Sequence, residues 1–498
     1  MTENTAGDDI AAIARGGRTN FLGFFLRLAA RIPFLFIAGR AAAYGPEALG
    51  RFASALVVIE LSAMLCTLGE KRGLAQRLAD SDEHPANVVA DGMLVALLTS
   101  SAMALLFWLV PAPLFPSGSY SEIDQLMVLA IPPLALTEIW LAALAYRFNI
   151  GASVRARAVV EPWTLSIMAG AMIFIAPQSG LSVAYIVSIF ASALTALIPF
   201  IKAYGMPMGW RPRPRALGRL TLRSLPIAGA DAIEWGTRRI DILILGFFAA
   251  PAAVGVYYVA LQLASLPQKL KTSFEPILGP VIIRRLKERD LPAIARQVCQ
   301  VGFWIIAAQA GIALALGIPG EGVMGLVGPE FVGGTAALVL LLAAEVVAAT
   351  AVVSEAALIY MARVRNVLVS LATITLQALL TVGGMLLVER MGLGELYRAA
   401  AAALALGLAL AFASLVKARM LSRLLGEPVN NWRWTLIWAA GPAVLVGWLA
   451  TRFLPEWAEL LFGIPAILGT YGWLIWNRGF GPEDRILFRK NAATLPAD

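Results

Sequence analysis

Residues 229–246 read GADAIEWGTRRIDILILG, and residues 247–265 continue FFAAPAAVGVYYVALQLAS. The second stretch is almost wholly apolar, whereas the first carries Asp231, Glu234, Arg238, Arg239 and Asp241. Asp231, Glu234, Arg238 and Asp241 stand at i, i+3, i+7 and i+10, which puts them on one face of a helix. Arg239 lies about 100° away from that stripe. A charge near the middle of a bilayer costs at least about 2.5–3.5 kcal/mol, so such a face is expected to line protein or water rather than lipid.

The flanking sequence makes a bilayer the relevant solvent. The 498 residues are 59% hydrophobic and only 14% charged, and the mean hydropathy is +0.75. Runs such as MLVALLTSSAMALLFWLV match the roughly 20 apolar residues that cross a hydrocarbon core of about 30 Å. A soluble helical protein would need polar faces that this chain lacks. The expected fold is therefore an all-α polytopic membrane protein of about fourteen transmembrane helices. The spans are placed at about 21–43, 49–69, 88–111, 123–146, 158–177, 182–201, 224–249, 252–274, 293–318, 334–360, 366–388, 396–416, 434–453 and 457–476. They are too long and too uniformly apolar for barrel strands.

With the N-terminus inside, the inner connections gather most of the 40 Lys and Arg residues, while the outer loops hold one, Arg390. The positive-inside rule then puts both termini in the cytoplasm, with a bacterial cytoplasmic membrane as the expected location. The net charge of +8 is topological on this reading, and it suits anionic headgroups rather than nucleic acid. The N-terminal segment is polar, and no small-residue cleavage pattern follows the first apolar run, so no cleavable signal peptide is expected. Cys66 and Cys299 fall in expected spans, and His84 stands alone in a polar loop; neither a disulfide framework nor a metal site is expected.

An internal repeat organises the spans. The turn after span 1 reads PEALGRFASAL and the turn after span 7 reads PAAVGVYYVAL; Gly50 aligns with Gly255, Phe52 with Tyr257, Ala55 with Ala260 and Leu56 with Leu261. Parallel repeats of this kind are a transporter plan. The expected organisation is a six-helix lobe over 1–201, a basic cytoplasmic linker over 202–223, a second six-helix lobe over 224–425, and two further helices with a tail over 426–498. The linker carries Lys202, Arg211, Arg213, Arg215, Arg219 and Arg223, which suits either a topogenic loop or a lipid-surface hinge.

Span 1 repeats the charged theme, with Arg27 and Arg31 one turn apart, and single carboxylates occur at Glu60, Glu138, Glu345 and Glu355. Together these suggest a polar cavity in which Arg27, Arg31, Arg238 and Arg239 engage an anionic headgroup. Asp231, Glu234, Asp241, Glu60 and Glu138 are the candidates for coupling to H⁺ or Na⁺. The alternative for each single carboxylate is a structural interhelical hydrogen bond. No cofactor is expected.

The stretch RRIDILILGFFAAPAAVGVYYVALQLASLPQKLKTSFEPILGPVIIRR resembles the seventh and eighth helices of polysaccharide-type (Wzx-like) flippases of the multidrug, oligosaccharidyl-lipid and polysaccharide exporter superfamily. YGPEALGRFASAL and GLVGPEFVGGTAALVLLLA agree with that family at two further turns. The resemblance implies alternating access by two pseudo-symmetric lobes, with a polyprenyl-pyrophosphate-linked oligosaccharide as substrate. It also makes Asp241 the family-like aspartate and puts Gly255 and Tyr257 in an outer turn. Membrane lipids and other polysaccharide assembly proteins are the implied partners. Fourteen spans exceed the twelve common in this branch and resemble peptidoglycan-precursor flippases, whose early "DAF…P-N" pattern is missing here. A multidrug or cation antiporter and a membrane glycan polymerase or ligase are further alternatives. Against an enzyme, the longest outer connections hold no His, Lys or Arg, and no phosphate-binding G-x-x-x-x-G-K-[ST] occurs. The D-x-D at Asp80–Asp82 sits in a loop too short for a nucleotide-sugar domain.

Overall fold

A computed structural model describes residues 26, 29–272, 275–481 and 484, and among them the regular structure is entirely helical. Residues 29–40 form α1, followed by α2 (Gly45–Cys66), α3 (Glu70–Asp80), α4 (Pro85–Leu109), α5 (Glu122–Tyr146), α6 (150–172), α7 (Gly180–Tyr204) and α8 (Pro214–Phe248). Then come α9 (Pro251–Thr272), α10 (Glu275–Glu288), α11 (Leu291–Gly317), α12 (Gly320–Val327), α13 (Pro329–Met361), α14 (Arg363–Arg390), α15 (Glu395–Leu425), α16 (Trp434–Phe453) and α17 (Glu456–Gly479).

Ten of these helices, α2, α4, α5, α7, α11 and α13 to α17, are long and apolar enough to cross a membrane. The protein is thus a polytopic α-helical membrane protein. The other four expected spans also fall on helices: α1, α6, α8 and α9. Their departures have local causes. Charges interrupt α8, α9 is apolar only over Pro251–Pro267, and α6 passes through a widened π-helical segment, Val154–Val160. Helix α8 is 35 residues long, about 52 Å at 1.5 Å per residue, so it exceeds the hydrocarbon core. Pro214 opens it at a position where a missing N–H does no harm. Residues 214–223 of the expected linker therefore continue directly into span 7.

By packing, the chain divides into Met1–Gly255 and Val256–Asp498. In the first unit, α8 lies against α2, and the opening turns of α2 and α9 meet; Gly255 and Tyr257, expected in an outer turn, are already helical in α9. A Cβ on Gly50 would overlap the carbonyl oxygen of Pro251, and a Cβ on Gly255 would overlap that of Pro46. The same offset of 205 relates 46 to 251 and 50 to 255, so the two turns cross reciprocally, backbone on backbone. Only glycine permits this approach. Between α2 and α3 the chain reverses through Leu68 and Gly69, both at positive φ, with Ile227 of α8 packed over Gly69. The chain entering α8 is strapped to the start of α4. Asn87 exchanges two hydrogen bonds with the Met208 backbone at 3.0 and 3.1 Å, Trp210 Nε1 donates to Asp91 at 2.9 Å, and Arg213 pairs with Glu83 at 2.6 Å.

In the second unit, α13, α14 and α15 form a tight group, and α16 and α17 dock on α11. Tyr471 fits against Gly311, and Ile318 and Ile467 close over Gly447. Trp434, Trp438 and Trp473 stand exposed toward one end of the α16–α17 hairpin, and Trp448 and Trp457 toward the other. This is the aromatic distribution of helices whose two ends sit at the two membrane interfaces. Beyond α17, buried Asp484 accepts hydrogen bonds from Arg433 (2.7 Å), Trp304 Nε1 (2.9 Å) and the Gly481 N–H (2.9 Å). Arg433 also stacks over the Phe303 ring at 3.8 Å, which ties the end of α17 to the middle of α11 and the start of α16.

Candidate functional site

The first unit gathers ionisable side chains from six helices, and Glu138 on α5 is their hub. One of its oxygens accepts from Arg157 of α6, and the other meets Lys71 of α3 at 3.0 Å. The second terminal nitrogen of Arg157 donates to Glu161, one turn further along α6, at 2.6 Å. The Arg157, Glu138 and Glu161 side chains are 15%, 23% and 25% exposed, so the triad is largely withdrawn from solvent. Lys71 is more than half exposed and opens the cluster on one side.

The local sequence explains why Arg157 reaches Glu138. Pro162 follows Glu161 and has no N–H to return to the carbonyl of Ala158. The helix widens into π turns just before it, and ordinary α-helix resumes at Glu161. Such π segments re-aim side chains and recur at functional sites. Here the segment sends Arg157 toward α5 while keeping it one turn from Glu161.

Glu60 on α2 is the second focus. Arg239 of α8, Arg157, Glu161 and Arg31 of α1 all act on it electrostatically. Among the described residues, Arg31, Lys71, Arg157 and Arg239 thus face Glu60, Glu138 and Glu161, four cations against three carboxylates. Three guanidiniums, Arg31, Arg157 and Arg239, come from three helices to the neighbourhood of one carboxylate. A guanidinium keeps its charge on burial and presents a planar fork of donors that matches phosphate oxygens.

Of the residues singled out in the sequence, the structure brings Arg31, Arg239, Glu60 and Glu138 into this cluster. Asp231 and Asp241 are buried on α8, at 5% and 0% exposure, and Asp241 accepts from the Ile242 N–H at 2.9 Å. Arg27 lies outside the described residues, as do the side chains of Glu234 and Arg238. Among the described side chains of α8, Arg239, which lies off the charged stripe, acts on Glu60. Sequence reasoning missed Lys71, Arg157 and Glu161 because it counted Lys71 and Arg157 among topogenic loop charges. The available signal was RAVVEP at 157–162: an Arg–Glu pair at i, i+4 directly before a proline. No metal-ligating cluster of His, Cys, Asp and Glu occurs among the described residues.

With this geometry established, comparison with known proteins places the chain. The family described as "Polysaccharide biosynthesis protein" matches residues 44–307, more than half of the sequence. No curated protein sequence matches the chain. Among solved structures, the lipid II flippase MurJ in an inward closed conformation superposes with a TM-score of 0.69 at 12% identity, covering 96% of this chain and 100% of that one. An inward-facing multidrug resistance MATE-family transporter of the MOP superfamily gives 0.62 at 14% identity, over 80% of this chain and 94% of that one. A MOP-superfamily transporter from Pyrococcus furiosus gives 0.55 at 15% identity, over 83% and 96%. At such identities the superpositions speak for the fold, and the sequence match speaks for the family. The chain belongs to the polysaccharide biosynthesis protein family, and its fold is the one those multi-pass transporters share.

Proposed function

We propose that the protein flips a polyprenyl-pyrophosphate-linked oligosaccharide across the bacterial cytoplasmic membrane by alternating access, for surface polysaccharide or lipopolysaccharide assembly. The observation that carries this reading is the charge cluster of the first unit. In it, Arg31 and Arg239 approach Glu60 inside an otherwise apolar bundle. Ionisable groups at such depth are expensive and belong to transport pathways by default. The diphosphate is the anion; Arg31 and Arg239, joined by Arg27 and Arg238, engage it. Glu60 and Glu138, with Asp231, Glu234 and Asp241, couple its movement to H⁺ or Na⁺. The chain acts as a carrier rather than an enzyme, with both termini in the cytoplasm, and works beside the glycosyltransferases and polymerase of its pathway.

Deleting the gene is expected to abolish surface glycan and to accumulate lipid-linked oligosaccharide on the cytoplasmic leaflet. Arg31→Gln combined with Arg239→Gln should reproduce that phenotype at normal protein levels. Glycan export unchanged by the double substitution would rule out the headgroup role. A second reading, a peptidoglycan-precursor flippase, draws on the superposition with MurJ over 96% of this chain, which takes in α16 and α17. It predicts lysis on depletion rather than loss of surface glycan.

A further inference from the structure

The second unit holds a buried ammonium that the cluster of the first unit does not involve. Lys417 on α15 is 4% exposed, and its Nζ lies 3.0 Å from Glu355 Oε2 of α13 and 3.2 Å from Ser370 Oγ of α14. Asn366 of α14 donates to the other Glu355 oxygen at 3.2 Å, and its own carbonyl oxygen is buried without a donor. Ser354, beside Glu355, is fully buried with its hydroxyl unpartnered. Three packed helices thus bring a carboxylate and a hydroxyl onto the ammonium in an apolar bundle, and the amide nitrogen of Asn366 holds that carboxylate. Hard oxygen donors around a single positive centre are the chemistry of an alkali-cation site. Here the positive centre is an ammonium tethered to the protein.

We propose that Lys417 is the resident cation of a monovalent-cation cage formed by Glu355 and Ser370, with Asn366 positioning the carboxylate, so that external Na⁺ does not occupy this part of the wild-type protein. Removing the ammonium while keeping the carboxylate leaves an oxygen-lined site of net negative charge that takes Na⁺ in its place. Glu355 is 38% exposed, which gives a small ion a route in. The inference bears on the ion coupling of the proposed flippase and rests on that reading only for its consequence in transport. Its test reads cation binding, so a failed export assay and a failed cage are separate results.

The test is thermal unfolding of the purified full-length protein in detergent, in NaCl and in choline chloride at equal ionic strength. Wild type sets the reference for any Na⁺ effect that arises elsewhere in the protein. Lys417→Met is expected to melt lower than wild type in choline and to recover progressively with Na⁺, beyond any response of wild type, because a ligand that binds only the folded state raises its stability with concentration. The double variant Glu355→Gln/Lys417→Met, with no net charge in the cage, is expected to respond to Na⁺ no more than wild type does. Lys417→Ala, which leaves more room, is read in the same assay should the Met variant not be recovered. A Na⁺ response that the Glu355→Gln/Lys417→Met variant keeps in full overturns the proposal. So does a charge-deleted cage that Na⁺ fails to stabilise in either single variant.

Discussion

At the scale of single residues, three sites have consequences that differ in kind. Gly50 and Gly255 are steric. The atom a Cβ would strike is a backbone oxygen, which cannot rotate away. Gly50→Leu should therefore destabilise by at least the roughly 1–3 kcal/mol of ordinary overpacking, read as lower yield of folded protein and lower export. Arg157 is electrostatic. Arg157→Ala strands Glu161 in a largely buried place and leaves Glu138 to Lys71 alone, for a loss toward the lower end of about 3–5 kcal/mol, whereas Lys71→Ala should cost less than about 1 kcal/mol because Lys71 is exposed; melting temperatures distinguish the two. Asp484 titrates. Burial pushes its carboxyl up, but hydrogen bonds from Arg433, the Gly481 N–H and Trp304 outweigh this and hold it below the usual aspartate range. A depressed carboxyl stabilises the fold above its unfolded pKa of about 3.9 and loses that contribution as pH falls through its folded value. The stability gap between wild type and Asp484→Asn should thus be widest near neutrality and close on acidification, as measured by unfolding at a series of pH values.

At the scale of elements, the sequence signals that worked were periodic and local. The apolar runs of α2, α4, α7 and α11 declared themselves by length, whereas α8 starts at Pro214, ten residues before the expected span and inside the expected linker. The π segment of α6 was hidden, because a proline after Glu161 permits a widened turn without specifying its direction; α5 decides that by offering Glu138. The strap before α8 was equally illegible. Arg211, Arg213 and Arg215 suited a topogenic loop or a lipid-surface hinge, yet the segment is held by Asn87, Asp91 and, through Arg213, Glu83, all more than a hundred residues away. Trp210→Ala with Asn87→Ala should release it, which limited proteolysis would report as faster cleavage within 205–213 while the helices on either side stay protected.

At the scale of the whole molecule, α16 and α17 are part of the second unit's core rather than an appendage. Tyr471 packs on the face of α11 that carries Gly311, Ile467 and Ile318 close over Gly447 of α16, and Asp484 bonds to Trp304 of α11. Truncation before Trp434 should expose that face of α11 and reduce recovery of monodisperse protein in detergent, as size-exclusion chromatography would show. Polarity patterning made the membrane, the helical class and the charged helices readable from one chain, because the cost of an unpaired backbone group or charge in lipid acts on each segment separately. Which charges meet was another matter. Arg239 lies off its helix's own stripe and Arg157 was counted as a loop residue, yet both act on Glu60. Periodicity within one helix ranks faces by polarity and carries no information about the face of a neighbour. The sequence by itself determined that buried charge would exist and in which segments; the packing of α1, α2, α5, α6 and α8 decided its partners, because an ion pair forms where two helices meet and that meeting is a property of neither alone.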